Sequence, residues 1–502
     1  MTSSPRDANS APSVKKAFRP LPAIAALFAL AILAETPAAA ADEYRTLTNT
    51  VGRSIRAKVV KVGATSVSVL LEDGTPYEIP LENLSQPDRD ALSTFSPGKD
   101  AGAPTTSASD RGVTAEQMNE AIGRPLFGER SLWESDPAEV AERLSWPRES
   151  KTALSESYRA YPSEDGRFLG ARPHSAALYG EEGRVTGLSI VFANKGDSLA
   201  AAGSGEEHFL KGQPVPGGME GVKVLMQHDA ETITATLGEL LGEPGRQRFG
   251  EGESRVQVAR WDWNGHAFLL SNVDGEYVSL AIETVAFADA RGRVARVPDS
   301  VVRERIRGFV ERRDNGDVVI TNIPMVDQGP KGYCVPATAE RCMRFLGMPA
   351  DMYLLAMAGE TEAGGGTSVD LLLNNIGRDI KRKGRSFDIR RGSLRMRDIK
   401  RSIDGGIPII WAMLSTPSLN ETANARTKAR AETPWDSYLA SLAPADLAAE
   451  GSYGHVVIIM GYNEQSNEIA FSDSWGERYQ ERWITLPEAE QVSQERFYVI
   501  GL

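Results

Sequence analysis

Apolar positions fall into distinct patterns along the chain. Residues 22–34 (P-A-I-A-A-L-F-A-L-A-I-L-A) form a 13-residue apolar run, with Lys15, Lys16 and Arg19 before it and Ala38 to Ala41 after it. A basic flank, a short apolar core and small residues at its end are the parts of a secretory signal peptide. The run falls short of the roughly 20 residues a membrane helix needs. Residues 1–41 are therefore expected to direct export, leaving no stable membrane insertion once removed. Residues 42–95 alternate instead: Ile55, Ala57, Val59, then Val67, Val69, Leu71, with Asp73-Gly74 as a turn signal and a short capped helix over 85–94. This predicts a small β-barrel.

Residues 96–112 (S-P-G-K-D-A-G-A-P-T-T-S-A-S-D-R-G) have no apolar period, which predicts a flexible linker. From 113 to 310 the pattern reads as two weak internal copies. The first opens on Asp136-Pro137-Ala138-Glu139, an N-cap with a proline in the first turn. A helix to Leu144 and strands near Phe168–Tyr179 and Val185–Phe192 follow. The second opens at Asp229, with a helix to Leu241 and strands at Val256–Trp263, Ala267–Asn272 and Tyr277–Ile282. A helix with a small antiparallel sheet, twice, is an α+β arrangement. A recognition domain and a scaffold for its neighbours fit this region equally. Residues 318–502 combine helical spacing after Cys334 with an apolar strand, H-V-V-I-I-M-G-Y, at 455–462. The expected class is thus α+β and multi-domain.

Composition narrows the function. A chain of 502 residues, 41% hydrophobic and 25% charged, has room for roughly three domains and the apolar content to fold them. Two Cys exclude a disulfide scaffold. With only 5 His besides, a structural zinc site is not expected, nor is any metal or cofactor. A net charge of −12 argues against nucleic acid as a partner, because phosphate binding needs a basic surface. His174, His208, His228 and His266 lie far apart and read as surface or satisfied core residues.

Each thiol then needs its own explanation. From Cys334 on, Ala337, Thr338, Cys342, Phe345 and Leu346 fall on helical spacing, with Pro336 in the first turn and Gly347 as a stop. Cys334 therefore sits at a helix N-terminus, where partial positive charge favours a thiolate. Cys342 reads as a small core residue. At eight residues' helical separation the two lie about 12 Å apart, too far for a disulfide. Downstream of Cys334 the one His is His455, at the start of the apolar strand. A polar turn centred near Gln465 brings Asp473 nearly opposite it on a returning strand. A carboxylate there fixes the imidazole tautomer and stabilises its charged form. Gln328, six residues before Cys334, is placed to supply an oxyanion-hole amide together with the Cys334 backbone N–H. Trp475 is expected to shield the His–Asp bond. Gly364 to Ser368 lines a cleft or makes an ordinary turn before a helix at Val369–Ile376.

Gln328, G-Y-C-V-P-A-T at 332–338, G-H-V-V at 454–457 and D-S-W-G at 473–476 together resemble a papain-like cysteine peptidase, and more narrowly the double-glycine leader (bacteriocin-processing) peptidase-like family. The resemblance covers residues from about 320 to the end. It implies Cys334 as nucleophile, His455 as general base and acid, Asp473 as orienting residue and Gln328 as oxyanion donor. Papain has an amide where this chain has Asp473, which favours the narrower family. The chain has no Walker-type loop, so trimming a leader during transport is not the expected job. The unit at 42–95 reads as SH3-like and resembles the first homology domain of the yeast protein Sla-one in its bacterial secreted form. That implies a binding module for a protein or cell-envelope ligand. The resulting expectation is an exported peptidase acting on peptide or protein substrates, with acyl transfer or another amide hydrolysis as a close rival. A non-catalytic extracytoplasmic scaffold with a vestigial papain-like domain is the alternative of a different class. A polar insertion at 415–453 is expected as a long loop beside His455, a lid or a substrate wall.

Overall fold

A computed structural model describes residues 44–93 and 112–502, apart from 51, 63–65, 72–75, 164, 200–217, 253–254, 295–296, 363–365 and 448–450. The expected signal segment, the linker (save Gly112), the Asp73-Gly74 turn, His208 and Gly364-Gly365 lie outside the described residues. Three antiparallel sheets organise the rest.

The first is β1 (Arg45–Thr48), β2 (Ser54–Val62), β3 (Ser66–Leu71) and β4 (Pro76–Pro80), in the order β1-β2-β3-β4. Val59, Val67, Val69 and Ile79 pack with Leu47, Leu84 and Leu92, the last from the helix Gln86–Ser93. Among the described residues these strands form an open meander, with no closed barrel. A single bridge, Asn49 to Leu84, ties the end of β1 to the segment after β4. Four short strands with one apolar face are covered by that helix, so closure is not needed to bury them.

The second sheet holds β5 (Arg148–Lys151), β6 (Ser155–Ala160), β7 (Ser175–Glu181), β8 (Arg184–Asn194), β9 (Gly245–Phe249), β10 (Val256–Trp263), β11 (His266–Val273) and β12 (Tyr277–Thr284). Its order is β5-β6-β7-β8-β12-β11-β10-β9. Two meanders of four strands thus meet at the β8–β12 pair. Each is preceded by a helix, Pro137–Leu144 or Gly218–Leu241, and followed by a short one, Lys195–Ser198 or Val285–Asp289. Asp136 caps the first helix through Ala138 N, as its D-P-A-E start predicts. Phe268, Leu280, Ile190 and Phe192 are fully buried against the helix face of Val222, Ile233 and Leu237.

The third sheet holds β13 (Val310–Arg312), β14 (Val318–Ile320), β15 (Ser386–Arg391), β16 (Ile409–Ser415), β17 (Tyr453–Asn463), β18 (Glu468–Ser472), β19 (Arg482–Thr485) and β20 (Ser493–Gly501). Its order is β13-β14-β17-β16-β20-β15, with β18 pairing β17 and β19. Trp411, Ile458, Phe471 and Tyr498 form its interior, and Val302 and Ile306 of the helix Asp299–Gly308 pack into the same core.

The stretch 415–453 is not a long loop. It folds as helices Pro417–Glu432 and Trp435–Ser441, with Thr416 capping Leu419 N at 3.0 Å. Buried ion pairs from Arg426 to Glu488, on the helix Leu486–Val492, and from Arg430 to Asp317, just before β14, and Glu468 of β18 hold it in place. Its residues are good helix formers with a Thr-Pro start. Only Leu419 and Ala423 of the first helix are buried, too few to show a period. No helix among the described residues is long and apolar enough to cross a membrane.

Candidate active site

The helix Cys334–Phe345 starts at Cys334. Tyr333, at its cap, makes no side-chain cap bond, and no acid lies in the first turn. The first backbone N–H groups are therefore left with their partial positive charge beside the Cys334 side chain. Pro336 costs nothing there, because its missing N–H belongs to this unpaired set. Gly347, with φ of 75°, ends the helix in the left-handed conformation. The helix lies against β17, and Thr338 Oγ1 donates to Val456 O at 3.2 Å.

β17 is buried from His455 on, because a continuous apolar run can only sit in the middle of a covered sheet. His455, 3% exposed, is the third residue of that strand. Asn463 pairs with Glu468 across the turn, and β18 returns along β17. Asp473 follows the last residue of β18 and is fully buried. His455 Nε2 and Asp473 Oδ1 are 2.6 Å apart. Cys334 also favours the ring's charged form, and with Nε2 taken by Asp473 it is Nδ1 that remains free. Burial works against a charged His455 ring, but the hydrogen bond to Asp473 and the influence of Cys334 outweigh it and push it up to about 9. Burial opposes the Asp473 carboxylate too. The His455 bond and the nearby Arg482 charge overcome that and hold it below the usual carboxylate range.

Two of these supporting groups escape sequence reasoning. Arg482 opens β19, where it pairs with Phe471 on β18. The β18–β19 hairpin delivers its guanidinium to Asp473 Oδ2, and Nη1 donates to Asn420 at 2.9 Å. Arg341, fully buried, donates to Asp473 O at 2.8 Å, Ser472 Oγ at 2.6 Å and Pro324 O at 2.9 Å. Trp475 stacks on His455 with ring centroids 4.7 Å apart and 21° between planes, which covers the ring on one side.

Gln328 lies in the loop before the helix and is 8% exposed. Its backbone N–H donates to Ser474 O at 2.9 Å, so this loop sits on the D-S-W-G segment. Its side-chain Nε2 donates to Lys331 O at 3.0 Å. Gly366, with φ of 101°, donates its N–H to Gly332 O at 3.3 Å, bringing the end of the glycine run beside the same loop. Cys342 is 2% exposed among apolar neighbours, and burial pushes its thiol up to about 12. His174 and His266 are pushed down to about 4 by burial, and His228 is exposed. No group of three or more potential metal ligands occurs among the described residues.

A family model described as Peptidase_C39 like family matches residues 320–501. That stretch is therefore similar to the C39-like, papain-type cysteine peptidases. No curated protein matches the chain.

Proposed function

We propose that the C-terminal region is an active cysteine peptidase hydrolysing peptide bonds through Cys334, His455 and Asp473, with Gln328 as oxyanion donor. The observation that carries this reading is a buried imidazole 2.6 Å from a buried carboxylate, with Cys334 opening the helix that lies against the same strand. Cys334 Sγ attacks the peptide carbonyl with its proton already held on His455 Nδ1. The carbonyl oxygen takes the negative charge, facing the Cys334 N–H and the Gln328 amide. His455 then protonates the departing amine and a thioester remains. Water attacks the thioester, giving its proton to His455, and the free carboxylic acid leaves with the thiol restored.

Around this domain we read residues 1–41 as an export signal, 42–95 as an SH3-like module for a protein or cell-envelope ligand, and 113–310 as two copies of a helix plus meander. The matching order of elements about the β8–β12 pair supports the last point.

The test is hydrolysis of a mixed peptide pool followed by mass spectrometry. The mature chain should release free carboxyl termini and Cys334→Ala should not. Products carrying a new amide would favour acyl transfer. An inert wild-type chain would favour the scaffold reading.

A further inference from the structure

The loop that carries Gln328 is held from outside the C-terminal sheet. Four contacts to its backbone or side chains come from the middle region, two from β5 and two from the segments that follow β6 and β8. Ser150 Oγ accepts from Met325 N at 3.0 Å, and Glu149 Oε1 accepts from Asp327 N at 2.8 Å. Tyr161 OH donates to Asp327 O at 2.5 Å. The fourth is Lys331, whose side chain is fully buried and whose Nζ lies 3.1 Å from Asp197 Oδ1. Asp197 sits on the short helix after β8, where Tyr353 OH (3.0 Å) and Asn194 Nδ2 (2.9 Å) also bond its other oxygen. The rings of Tyr161, Tyr333 and Tyr353 surround the Lys331 ammonium at 5.0–5.2 Å. A buried ammonium is tolerable only with a partner of this kind. The packing leaves no slack. A Cβ at Gly196 would come within 2.3 Å of the Tyr333 hydroxyl, and one at Gly329, where φ is +67°, within 2.9 Å of the Tyr161 ring.

Lys331 is also the residue whose carbonyl takes the Gln328 amide. Fixing Lys331 therefore fixes the amide that the peptidase reading assigns to the oxyanion. We propose that residues of the middle region, chiefly Asp197 and Tyr161, are positioning residues of the active site, holding the 325–333 loop so that Gln328 is set against Cys334. This rests on the proposed peptidase reading. It makes the middle region part of the catalytic apparatus and predicts that the thiol–imidazole pair can survive when the oxyanion site does not.

The experiment uses the full chain with Asp197→Asn and Tyr161→Phe, each close in shape to the original. Hydrogen exchange of residues 325–333 is compared with that of β17. A peptide aldehyde, whose adduct needs the oxyanion site, is compared with iodoacetamide, which needs only a reactive thiol. In Asp197→Asn the loop should exchange faster while β17 stays protected. Aldehyde affinity should fall about tenfold with the iodoacetamide rate changed less than about twofold. Tyr161→Phe, which removes one hydrogen bond, should shift both in the same direction by less. Loop exchange at the wild-type rate in both variants would overturn the proposal, as would aldehyde and iodoacetamide reactivity falling together. A wild-type chain that takes neither reagent would overturn the peptidase reading instead, and loop exchange alone would then decide whether the middle region holds this segment.

Discussion

One helix carries both of the chain's thiols, Cys334 at its first residue and Cys342 a little over two turns on. Cys334 is half-buried and opens the helix, where no side chain caps the first turn and where it favours the charged form of the His455 ring. Cys342 is closed off among apolar side chains and its thiol is pushed up to about 12 by burial. The two ends of a twelve-residue helix thus offer a thiol opposite surroundings. What decides the chemistry is position relative to the helix end and the neighbouring strand, not residue type.

The sharpest way to break this comparison is substitution at both positions. Cys334→Ala should lower peptide hydrolysis at least about a thousandfold with the fold intact. Cys342→Ala should leave kcat/KM unchanged and lower stability by about 1–2 kcal/mol, read from denaturant midpoints. Next in size is the support behind the imidazole. Arg482→Met removes the cation that faces a fully buried Asp473 carboxylate. It should destabilise the chain by about 3–5 kcal/mol and lower kcat more than it raises KM.

The pH profile sharpens the contrast further. His455 has its charged form favoured in the folded chain, up to about 9. Its contribution to stability is thus complete below about pH 6.5, the unfolded value, and is lost as pH rises through about 9. Asp473 acts in the opposite sense. Its contribution is present above about pH 4 and is lost as pH falls through its depressed folded value. Hydrolysis should therefore persist to about pH 9 and fall beyond it, when His455 no longer holds a proton for the leaving amine. The smallest effect is expected for Trp475→Ala, a loss of several-fold in kcat that reflects a less shielded ring.

Legibility followed the range of the interactions. G-Y-C-V-P placed the helix start at Cys334, and Gly347 placed its end, because caps and stops are local. The β17–β18 turn and the spans of β10 to β12 were legible from alternation and turn residues. β5, β6 and β9 were not, since R-E-S-K, S-E-S-Y-R-A and G-R-Q-R-F carry few apolar residues and are stabilised by their neighbours in the sheet. The helices at 417–441 hid behind a polar composition. Nothing in the sequence around Arg482 marks it, because its tie to Asp473 exists only once β18 and β19 pair. Glu149, Tyr161 and Asp197 lie more than 130 residues from the loop they hold, so nothing in their own neighbourhoods marks them.

The most direct test of the central claim is competitive alkylation of the native full-length chain with iodoacetamide at neutral pH, followed by mass-spectrometric mapping of the label. The account predicts fast labelling at Cys334, slowed strongly by His455→Ala, with Cys342 modified only after unfolding. Label appearing first on Cys342, or a Cys334 rate unchanged when His455 is removed, would contradict it.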